Sequence, residues 1–310
     1  MFIPEASLTY TDRITGARNW EIKAGYKTSS DIPYVDQLAQ FIDSSSLYYF
    51  QLGNRNLRSN YQHNFELSAS WQQENTYPAS IRLAINAVSI ENYISDSNYY
   101  DNRGVNINTP VNVSGYRDHA ADMRFTKAFV INKKQITYAL NSRISSRSVP
   151  LFANNLPVTS EQKSLTANSE LGYTYSTYLG IYLLSTLDIR QSKFGSDART
   201  NQNMTISNGL EFVADLPKGI RLNSSARMTH NRATNLPGTD LVIWNAQMSY
   251  RMGKKQNYEV KFTANDILNK TQGIYTSSNA NTLVVRRTNA LQQYFLVGLA
   301  YYPRFFGGNN

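Results

Sequence analysis

The sequence has no cysteine and no long apolar run. Without cysteine, disulfides, thiolate metal sites and cysteine nucleophiles are excluded, although the compartment stays open. The longest apolar runs, such as 179–184, fall far short of the about 20 residues that a transmembrane helix needs. If this chain crosses a membrane, we therefore expect it to cross with β-strands.

Charge is also scarce, since Asp, Glu, Lys and Arg make up 17% of the 310 residues, against roughly a quarter in soluble domains. The difference is filled by Ser, Thr, Asn and 22 tyrosines, which suits strands with one wet and one apolar face. The net charge of +9 is not concentrated in any run of more than two basic residues. Nucleic-acid binding is therefore not expected.

The chain lacks a linker rich in proline and glycine, so we expect one continuous architecture. Met1 is followed by Phe2-Ile3-Pro4-Glu5, without the basic start and apolar stretch of a signal peptide. Either a leader has been removed or the sequence is a fragment of a longer protein.

Strict alternation of apolar and polar residues is the main structural signal, because successive strand residues point to opposite faces. The clearest case is 258–265, where Tyr, Val, Phe and Ala alternate with Glu, Lys, Thr and Asn. The pattern predicts an outward, lipid-facing position for Ile181, Leu183, Leu222, Val260, Phe262 and Val297. It predicts an inward position for Arg221, Arg227, Glu259 and Lys261.

Such stretches predict about thirteen strands, many of them long enough for the about 9 to 11 residues that a tilted membrane strand needs. They lie near 2–11, 17–29, 60–73, 78–95, 111–130, 134–148, 161–175, 179–193, 202–214, 219–232, 240–251, 256–266 and 289–302. Within 78–95 the apolar phase slips, which predicts a bulge or an exit from the membrane.

Short and long connections alternate along the chain. Short turns are predicted at 12–16, 74–77, 131–133, 176–178, 215–218 and 252–255. Longer loops are predicted at 30–59, 96–110, 149–160, 194–201, 233–239 and 267–288. Short periplasmic turns that alternate with longer extracellular loops are typical of outer-membrane barrels. The sequence therefore predicts an all-β, antiparallel transmembrane β-barrel in the cell outer membrane.

Several motifs resemble the barrel region of TonB-dependent receptors, particularly the variety common in Bacteroidetes, over nearly the whole chain. The start, Pro4-Glu5-Ala6-Ser7-Leu8-Thr9-Tyr10, is similar to a proline-led strand of that family. The most telling block comprises Tyr26, Ser29, Pro33, Gln37, Leu38, Gly53-Asn54-Arg55-Asn56-Leu57 and Tyr61. Later matches are Asn265-Asp266-Ile267-Leu268-Asn269 and Tyr294-Phe295-Leu296-Val297-Gly298-Leu299-Ala300-Tyr301. The chain departs from the family at Arg55 and Ser59, where proline is usual, and at 303–310, which run past the expected aromatic end.

The resemblance implies that residues 1–310 are the C-terminal segment of a barrel of about 22 strands, with the plug domain and early strands absent. It also implies uptake of a nutrient such as a metal chelate or glycan. A TonB-type energy-coupling protein would act through the absent plug. The implied partners are outer-membrane lipid and, in some relatives, a surface lipoprotein.

No motif points to catalysis. The histidines are His63, His119 and His230, and only His119 has carboxylates close in sequence, Asp118 and Asp122. A structural role is favoured for all three. Motifs for nucleophilic catalysis, phosphate loops and dinucleotide binding are missing from the sequence. We therefore expect no enzyme activity, no cofactor and no metal centre.

Charged residues on the predicted inward faces have two interpretations, a wall that binds a substrate or plug, or a solvated ladder that geometry alone requires. The second is favoured, so individual ligand-binding residues stay unknown. The set is Glu21, Lys23, Glu66, Arg82, Glu170, Asp188, Arg190, Glu211, Arg221, Arg227, Glu259 and Lys261.

Aromatic residues in the predicted loops fit either stacking on a sugar or flat ligand, or an interfacial girdle and loop packing, which is favoured. They are Tyr48, Tyr49, Phe50, Tyr93, Tyr99 and Tyr100. Lysine pairs in two short turns fit contact with periplasmic partners or acidic headgroups, or simple hydration of the turns. They are Lys133-Lys134 and Lys254-Lys255.

Two other functions stay open, a non-transporting barrel that anchors or scaffolds a surface complex, and a soluble β-sandwich that binds carbohydrate. An odd number of strands also places the two termini on opposite sides of the membrane. The first and last strands would then be parallel if they met. We therefore expect an open curved sheet with edges at 2–11 and 289–302.

Overall fold

A computed structural model describes most of the chain, in segments separated by short gaps. The described residues are 3–14, 17–39, 48–75, 77–195, 200–234, 236–253, 256–270, 274–278, 283–287 and 292–303. Helix is confined to α1 (Val35–Leu38) and a 3-10 turn at Pro217–Gly219 in the described residues. Neither of these helices is long and apolar enough to cross a membrane.

The described structure is otherwise built from strands. They are β1 (Glu5–Ile14), β2 (Arg18–Ser29), β3 (Tyr49–Gln51), β4 (Tyr61–Gln73), β5 (Ala79–Glu91), β6 (Tyr93–Tyr100), β7 (Asn106–Val113), β8 (Tyr116–Ile131), β9 (Lys134–Ala153), β10 (Leu156–Tyr175), β11 (Leu179–Phe194), β12 (Thr200–Leu216), β13 (Ile220–Ala233), β14 (Leu236–Met252), β15 (Tyr258–Asn265), β16 (Ile274–Ser278), β17 (Leu283–Arg287) and β18 (Tyr294–Tyr301).

One 16-stranded sheet contains nearly all of them, and its main path is antiparallel throughout. That path runs β1-β2-β4-β5-β8-β9-β10-β11-β12-β13-β14-β15-β18, so it has the predicted number of strands, thirteen, although the predicted strands 78–95 and 111–130 are each divided. Three short strands, β3, β6 and β7, are attached at one side of this path, and β16 with β17 forms a separate hairpin. The all-β, antiparallel class is therefore correct.

The two faces of the main path differ in chemistry, and their phase is kept from strand to strand. Tyr173 pairs with Ile181 and Ile181 with Phe212, whereas the next row joins Gly172, Tyr182 and Glu211. All the residues predicted to face lipid lie on the first, apolar face, and those predicted to face inward lie on the second, polar face. Apolar side chains on the apolar face are exposed, for example Leu183 at 51% and Val297 at 72%.

The apolar face has a height that suits a membrane. On β10 its apolar side chains run from Leu165 to Tyr175, a length of about 33 Å along the strand. A strand tilt of 35–45° reduces this to about 25 Å, the height of the apolar band of outer-membrane barrels. Aromatic pairs, including Trp20–Trp71 and Tyr258–Tyr301 with ring centroids 6.3 and 5.1 Å apart, lie on this face near the short turns. They form the aromatic rim that such barrels carry.

Polar side chains inside the apolar band are paired with one another. The Ser185 hydroxyl donates to Oδ1 of Asn208 over 2.9 Å, and Nε1 of Trp244 donates to the Ser224 hydroxyl over 2.9 Å. Because an unpaired polar group in hydrocarbon costs several kcal/mol, these contacts make the polar residues acceptable on this face.

The stretch 78–95 is not one strand, and the phase slip marks the place where the chain leaves the main path. β5 ends at Glu91, Asn92 adopts a left-handed φ of 50°, and β6 begins at Tyr93. Residues 96–110, predicted as a loop, instead belong to the β6–β7 hairpin, and the chain rejoins the path at β8. The predicted 111–130 strand is likewise divided between β7 and β8.

Three predicted long loops are shorter than expected, because the flanking strands extend into them. At 149–160, β9 and β10 run 20 residues each to a tight turn at Asn154 and Asn155, whose φ values are 50° and 61°. The connections at 194–201 and 233–239 are shortened in the same way. Above the apolar band both faces of a strand meet water, so the sequence carries no alternation there. The other long loops contain structure as well, α1 and β3 in 30–59 and β16–β17 in 267–288.

The sheet is open in the described residues. β1 and β18 occupy the two ends of the hydrogen-bonded path, and no ladder between them occurs in the part of the chain that the structure describes. The edges therefore lie where they were expected, although the first strand is displaced to Glu5–Ile14.

The two faces generate a matched pair of variants on β15. Phe262 lies on the apolar face between Met248 and Val297, whereas Lys261 lies on the polar face between Ser249 and Gly298. Phe262→Arg is expected to cost about 2–4 kcal/mol near mid-membrane and to lower the amount of folded protein in purified outer membranes severely. Lys261→Arg keeps the charge in water and is expected to leave that amount unchanged. Equal yields of the two variants would contradict the assignment of faces.

A second prediction concerns Tyr182, whose ring lies over two glycines on the polar face. A Cβ on Gly172 would be 2.6 Å from Oγ1 of Thr137 and 3.0 Å from the Tyr182 ring, whereas one on Gly25 would meet nothing within 4 Å. Gly172→Ala is therefore expected to destabilise the sheet by about 1–3 kcal/mol through overpacking. Gly25→Ala is the control and is expected to be neutral or slightly stabilising. Thermal unfolding in detergent, followed by the change in gel mobility, compares the two variants.

Candidate solute-binding face and loop sheet

The polar face holds every charged residue that the sequence predicted to point inward. These are Glu21, Lys23, Glu66, Arg82, Glu170, Asp188, Arg190, Glu211, Arg221, Arg227, Glu259 and Lys261. The same face also carries Asp118, Asp122, Arg124, Arg143 and Arg147, which the sequence analysis did not assign to it. Alternation was present there too, since Met123 and Phe125 flank Arg124, and extending the same reading to 116–148 would have found them.

Two recesses lie on this face. One, about 420 Å³, spans five neighbouring strands and is lined by Glu66, Arg82, Asp122, Arg124, Arg143 and Asn168 among others. A second recess, about 330 Å³, contains Arg147 and Arg190. Most of the side chains that line both recesses belong to the polar face.

Most guanidinium groups of this face have a carboxylate partner. Arg143 donates to both carboxylate oxygens of Asp122 over 2.9 Å, and Arg147 donates to Asp118 over 2.6 Å. Further pairs join Arg190 with Asp188, Arg221 with Asp215, and Arg251 with Glu259. Pairs this exposed contribute little to stability, but they fix the direction of each guanidinium group along the wall.

The three histidines are separated, and their surroundings are ordinary structural ones. His119 lies on the apolar side of β8, whereas Asp118 and Asp122 lie on the polar side and pair with arginines. His63 bonds to the Tyr26 hydroxyl over 2.7 Å, and His230 bonds to Asp240. Among the described residues no group of three or more His, Asp or Glu side chains is arranged to hold a metal ion.

The aromatic residues of the predicted loops come together in a small loop sheet, defined here as β3, β7 and β6. β3 pairs parallel with β7, β7 pairs antiparallel with β6, and β6 touches the far end of β9. Register places Tyr49 and Tyr100 on either side of Asn106 in one row. Tyr48 and Tyr100 are 74% and 65% exposed, while Phe50 and Tyr99 are half-buried. These aromatic residues therefore lie in or beside the loop sheet and do not belong to the aromatic rim near the short turns.

Gly53 and Asn54 hold the 48–60 segment against the loop sheet, and their contacts are called the latch. Gly53 must lack a side chain, because a Cβ there would be 2.1 Å from the Ala39 carbonyl oxygen. Nδ2 of Asn54 donates to the Pro110 carbonyl over 3.0 Å, and its Oδ1 accepts from the Asn56 backbone over 2.9 Å. Asn112 bridges the same segments by donating to the Arg58 and Asn92 carbonyls.

Two titratable groups near this sheet have shifted pKa values. Burial raises the pKa of the Tyr93 hydroxyl, with Tyr116 and Asp96 adding to the rise and Arg147 opposing it. At the tip of the hairpin, the Val105 backbone N–H, which donates over 3.0 Å, holds the pKa of Asp101 below its usual value, and Arg103 adds to the effect. The ionised Asp101 therefore stabilises the β6–β7 turn by accepting these hydrogen bonds.

The predicted lysine pairs are only partly described. Lys133 lies in the short turn between β8 and β9, and its carbonyl accepts a hydrogen bond from the Ser176 backbone of the adjacent turn over 2.7 Å. Lys134 is the first residue of β9. Lys254 and Lys255 lie outside the described residues.

The latch generates a third prediction. Asn54→Ala removes two hydrogen bonds, each worth about 1 kcal/mol, and is expected to increase protease cleavage within 48–60 about tenfold, since cleavage follows the population of the open loop. Asn56→Ala removes an exposed side chain and keeps the backbone donor that Asn54 accepts, so it is the control. Equal cleavage of wild type and Asn54→Ala would show that the latch does not hold the segment.

Three comparisons relate this chain to known proteins. A search of solved structures finds the ferric yersiniabactin uptake receptor FyuA from Yersinia pestis, at 11% sequence identity and a TM-score of 0.46, over 97% of this chain and 50% of that chain. The chain thus spans about half the length of that receptor. The comparison with curated proteins finds no match. The model of the outer membrane protein beta-barrel family matches residues 1–301, and the chain accordingly belongs to that family of the outer membrane.

Proposed function

We propose that this protein is an outer-membrane receptor and transporter barrel that takes up a scarce nutrient, such as a metal chelate or a glycan. The chain supplies thirteen strands of the wall, and further strands and a plug domain complete the barrel. A TonB-type protein on the inner side provides the energy through that plug. The solute moves along the polar face, while the apolar face contacts lipid.

The continuous polar face is the observation that carries this proposal. Its side chains on the described strands of the main path are mostly Ser, Thr, Asn, Gln and charged groups. The apolar residues among them, such as Leu184 and Ile243, are scattered and form no layer on the described strands that would fill a narrow barrel. Small barrels pack their interior with side chains, whereas wide ones enclose water. Recesses of about 420 and 330 Å³ on this face are as large as small-ligand sites.

The resemblance to TonB-dependent receptors supports the energy-coupling part of the proposal. Its most telling motif, Gly53-Asn54 with Leu57, is the latch that secures the loop sheet at the end opposite the short turns. Such a fixed loop sheet with exposed Tyr48 and Tyr100 suits the capture of a solute before it enters the interior. Lipid is the second partner, since the apolar band has the height of the hydrocarbon layer.

These 310 residues contain no cysteine, so a single introduced thiol can test whether the polar face is in water. Labelling of the parent protein measures any thiols elsewhere in the complete protein. Thr186 lies on the polar face between Asn168 and Ser207, and Leu187 lies on the apolar face between Ala167 and Ile206. In the complete protein in cells, Thr186→Cys is expected to react with a bulky, membrane-impermeant maleimide at least about tenfold faster than Leu187→Cys, because only the former thiol is in water. The label on Thr186→Cys is expected to reduce uptake, and Leu187→Cys is the control.

Uptake itself is measured with radiolabelled metal chelates and glycans in wild-type and deletion strains. Loss of the gene, or loss of the TonB-type protein, is expected to lower accumulation of the same solute to the same level. Unchanged uptake of every solute in the deletion strain, together with loss of a surface complex, would instead identify the barrel as an anchor or scaffold.

A further inference from the structure

We propose that the recess between β4 and β10 on the polar face is a binding site for an anionic group, a carboxylate or a phosphate, with Arg82 and Arg124 as its principal ligands. As a statement about the transported solute, this proposal rests on the function proposed above. As a binding site, it is defined by the side chains of this chain alone.

The starting observation is the register of β5 and β8, which places Arg82 directly opposite Arg124. Residues directly opposite on one face have Cβ atoms about 4.5–5.5 Å apart, and like charges in that position repel. Other directly opposed charged residues on the described polar face join opposite charges. Those pairs are Glu5–Lys27, Asp118–Arg147, Asp122–Arg143, Asp215–Arg221 and Arg251–Glu259.

No described carboxylate neutralises this arginine pair. Asp122, the nearest acid along β8, is held by Arg143 through both oxygens at 2.9 Å. Glu66 also lines the recess, but no ion pair between it and either arginine occurs among the described residues. Arg124 instead donates through Nε to Oδ1 of Asn141, a neutral partner, over 3.0 Å. A requirement that the interior be polar explains charges on this face, but it does not explain two like charges placed opposite each other.

The surroundings complete a site for an anion. Arg82 and Arg124 are both exposed to the recess, whose lining includes Asn86, Asn141, Asn168 and Thr166. Two guanidinium forks match the planar or tetrahedral oxygens of carboxylates and phosphates, and the neighbouring amides supply further donors. The recess volume of about 420 Å³ accommodates a solute with several such groups. Binding would replace the repulsion between the arginines with two charge-assisted contacts.

The test uses the complete protein, purified from outer membranes in detergent, with citrate and inorganic pyrophosphate as probes and sucrose as the uncharged control. Calorimetry is expected to show binding of citrate or pyrophosphate to wild type and none of sucrose. Arg82→Gln and Arg124→Gln are each expected to weaken that binding at least tenfold. Glu66→Gln is expected to strengthen it, because it removes a negative charge from the recess. Arg227→Gln, on the same face between Gly209 and Ile243, is expected to bind as wild type does.

Thermal unfolding separates a ligand site from a structural role. Without anion, Arg82→Gln is expected to be at least as stable as wild type, since the repulsion is removed, and added citrate is expected to raise only the wild-type midpoint. Arg124→Gln is not used for this comparison, because it also loses the hydrogen bond to Asn141. Lower stability of Arg82→Gln without anion would overturn the proposal, because the two arginines would then not repel each other in the folded protein. Failure of wild type to bind either anion would overturn it as well.

Measurements of uptake and of anion binding distinguish the transport function from the binding site. Anion binding that depends on both arginines, in a protein whose deletion leaves uptake unchanged, would retain the site and reject the transport function. Uptake that depends on the gene, with no effect of the arginine variants on anion binding, would retain the transport function and reject the site.

Discussion

Hydrocarbon offers no hydrogen-bond partner to a peptide group, and this constraint determines the rest of the structure. Each backbone N–H and C=O within the membrane must find its partner in the chain, which strands achieve only side by side. The main path meets the requirement through antiparallel ladders from β1 to β18, with one register shift near Asn231 of β13, although the outer edges of β1 and β18 have no strand partner in the described residues. The ladders then fix the side chains, because each strand must keep its neighbours' phase for the apolar residues to share one face. A single slip of one residue would turn a row of charges toward lipid.

The number of long strands and the face of each residue could be predicted because the membrane imposes alternation on both. At Phe262 and Lys261 the two environments differ so strongly that a single sequence reports them. Beyond the apolar band the alternation of apolar and polar residues disappears, so the sequence predicts a loop where the ends of β9 and β10 lie. The β6–β7 hairpin was missed for a related reason. Its first strand, β6, mixes polar and aromatic residues without alternation, and the left-handed Asn92 that redirects the chain has no distinctive signature in one sequence.

Which side chains meet across strands was beyond the reach of the sequence. Arg82 was assigned to the interior from its own strand, whereas its position opposite Arg124 depends on the relative register of β5 and β8. The same is true of Asn54 and Pro110, which are 56 residues apart and become neighbours only through the loop sheet. Periodicity therefore predicts the environment of a residue, while contacts between distant residues need the three-dimensional pairing.

Fixation of the loop sheet by Asn54 and Asn112 has a consequence for the thermodynamics of capture. A loop that orders only when a solute arrives loses conformational entropy at that moment, about 0.5–1.5 kcal/mol for each immobilised side chain. Here the hydrogen bonds from Asn54 to Pro110 and from Asn112 to Arg58 and Asn92 are already formed in the free protein. The entropic cost has thus been met during folding, so a solute captured here, as in the function proposed above, would cause a smaller loss of conformational entropy in the loop sheet.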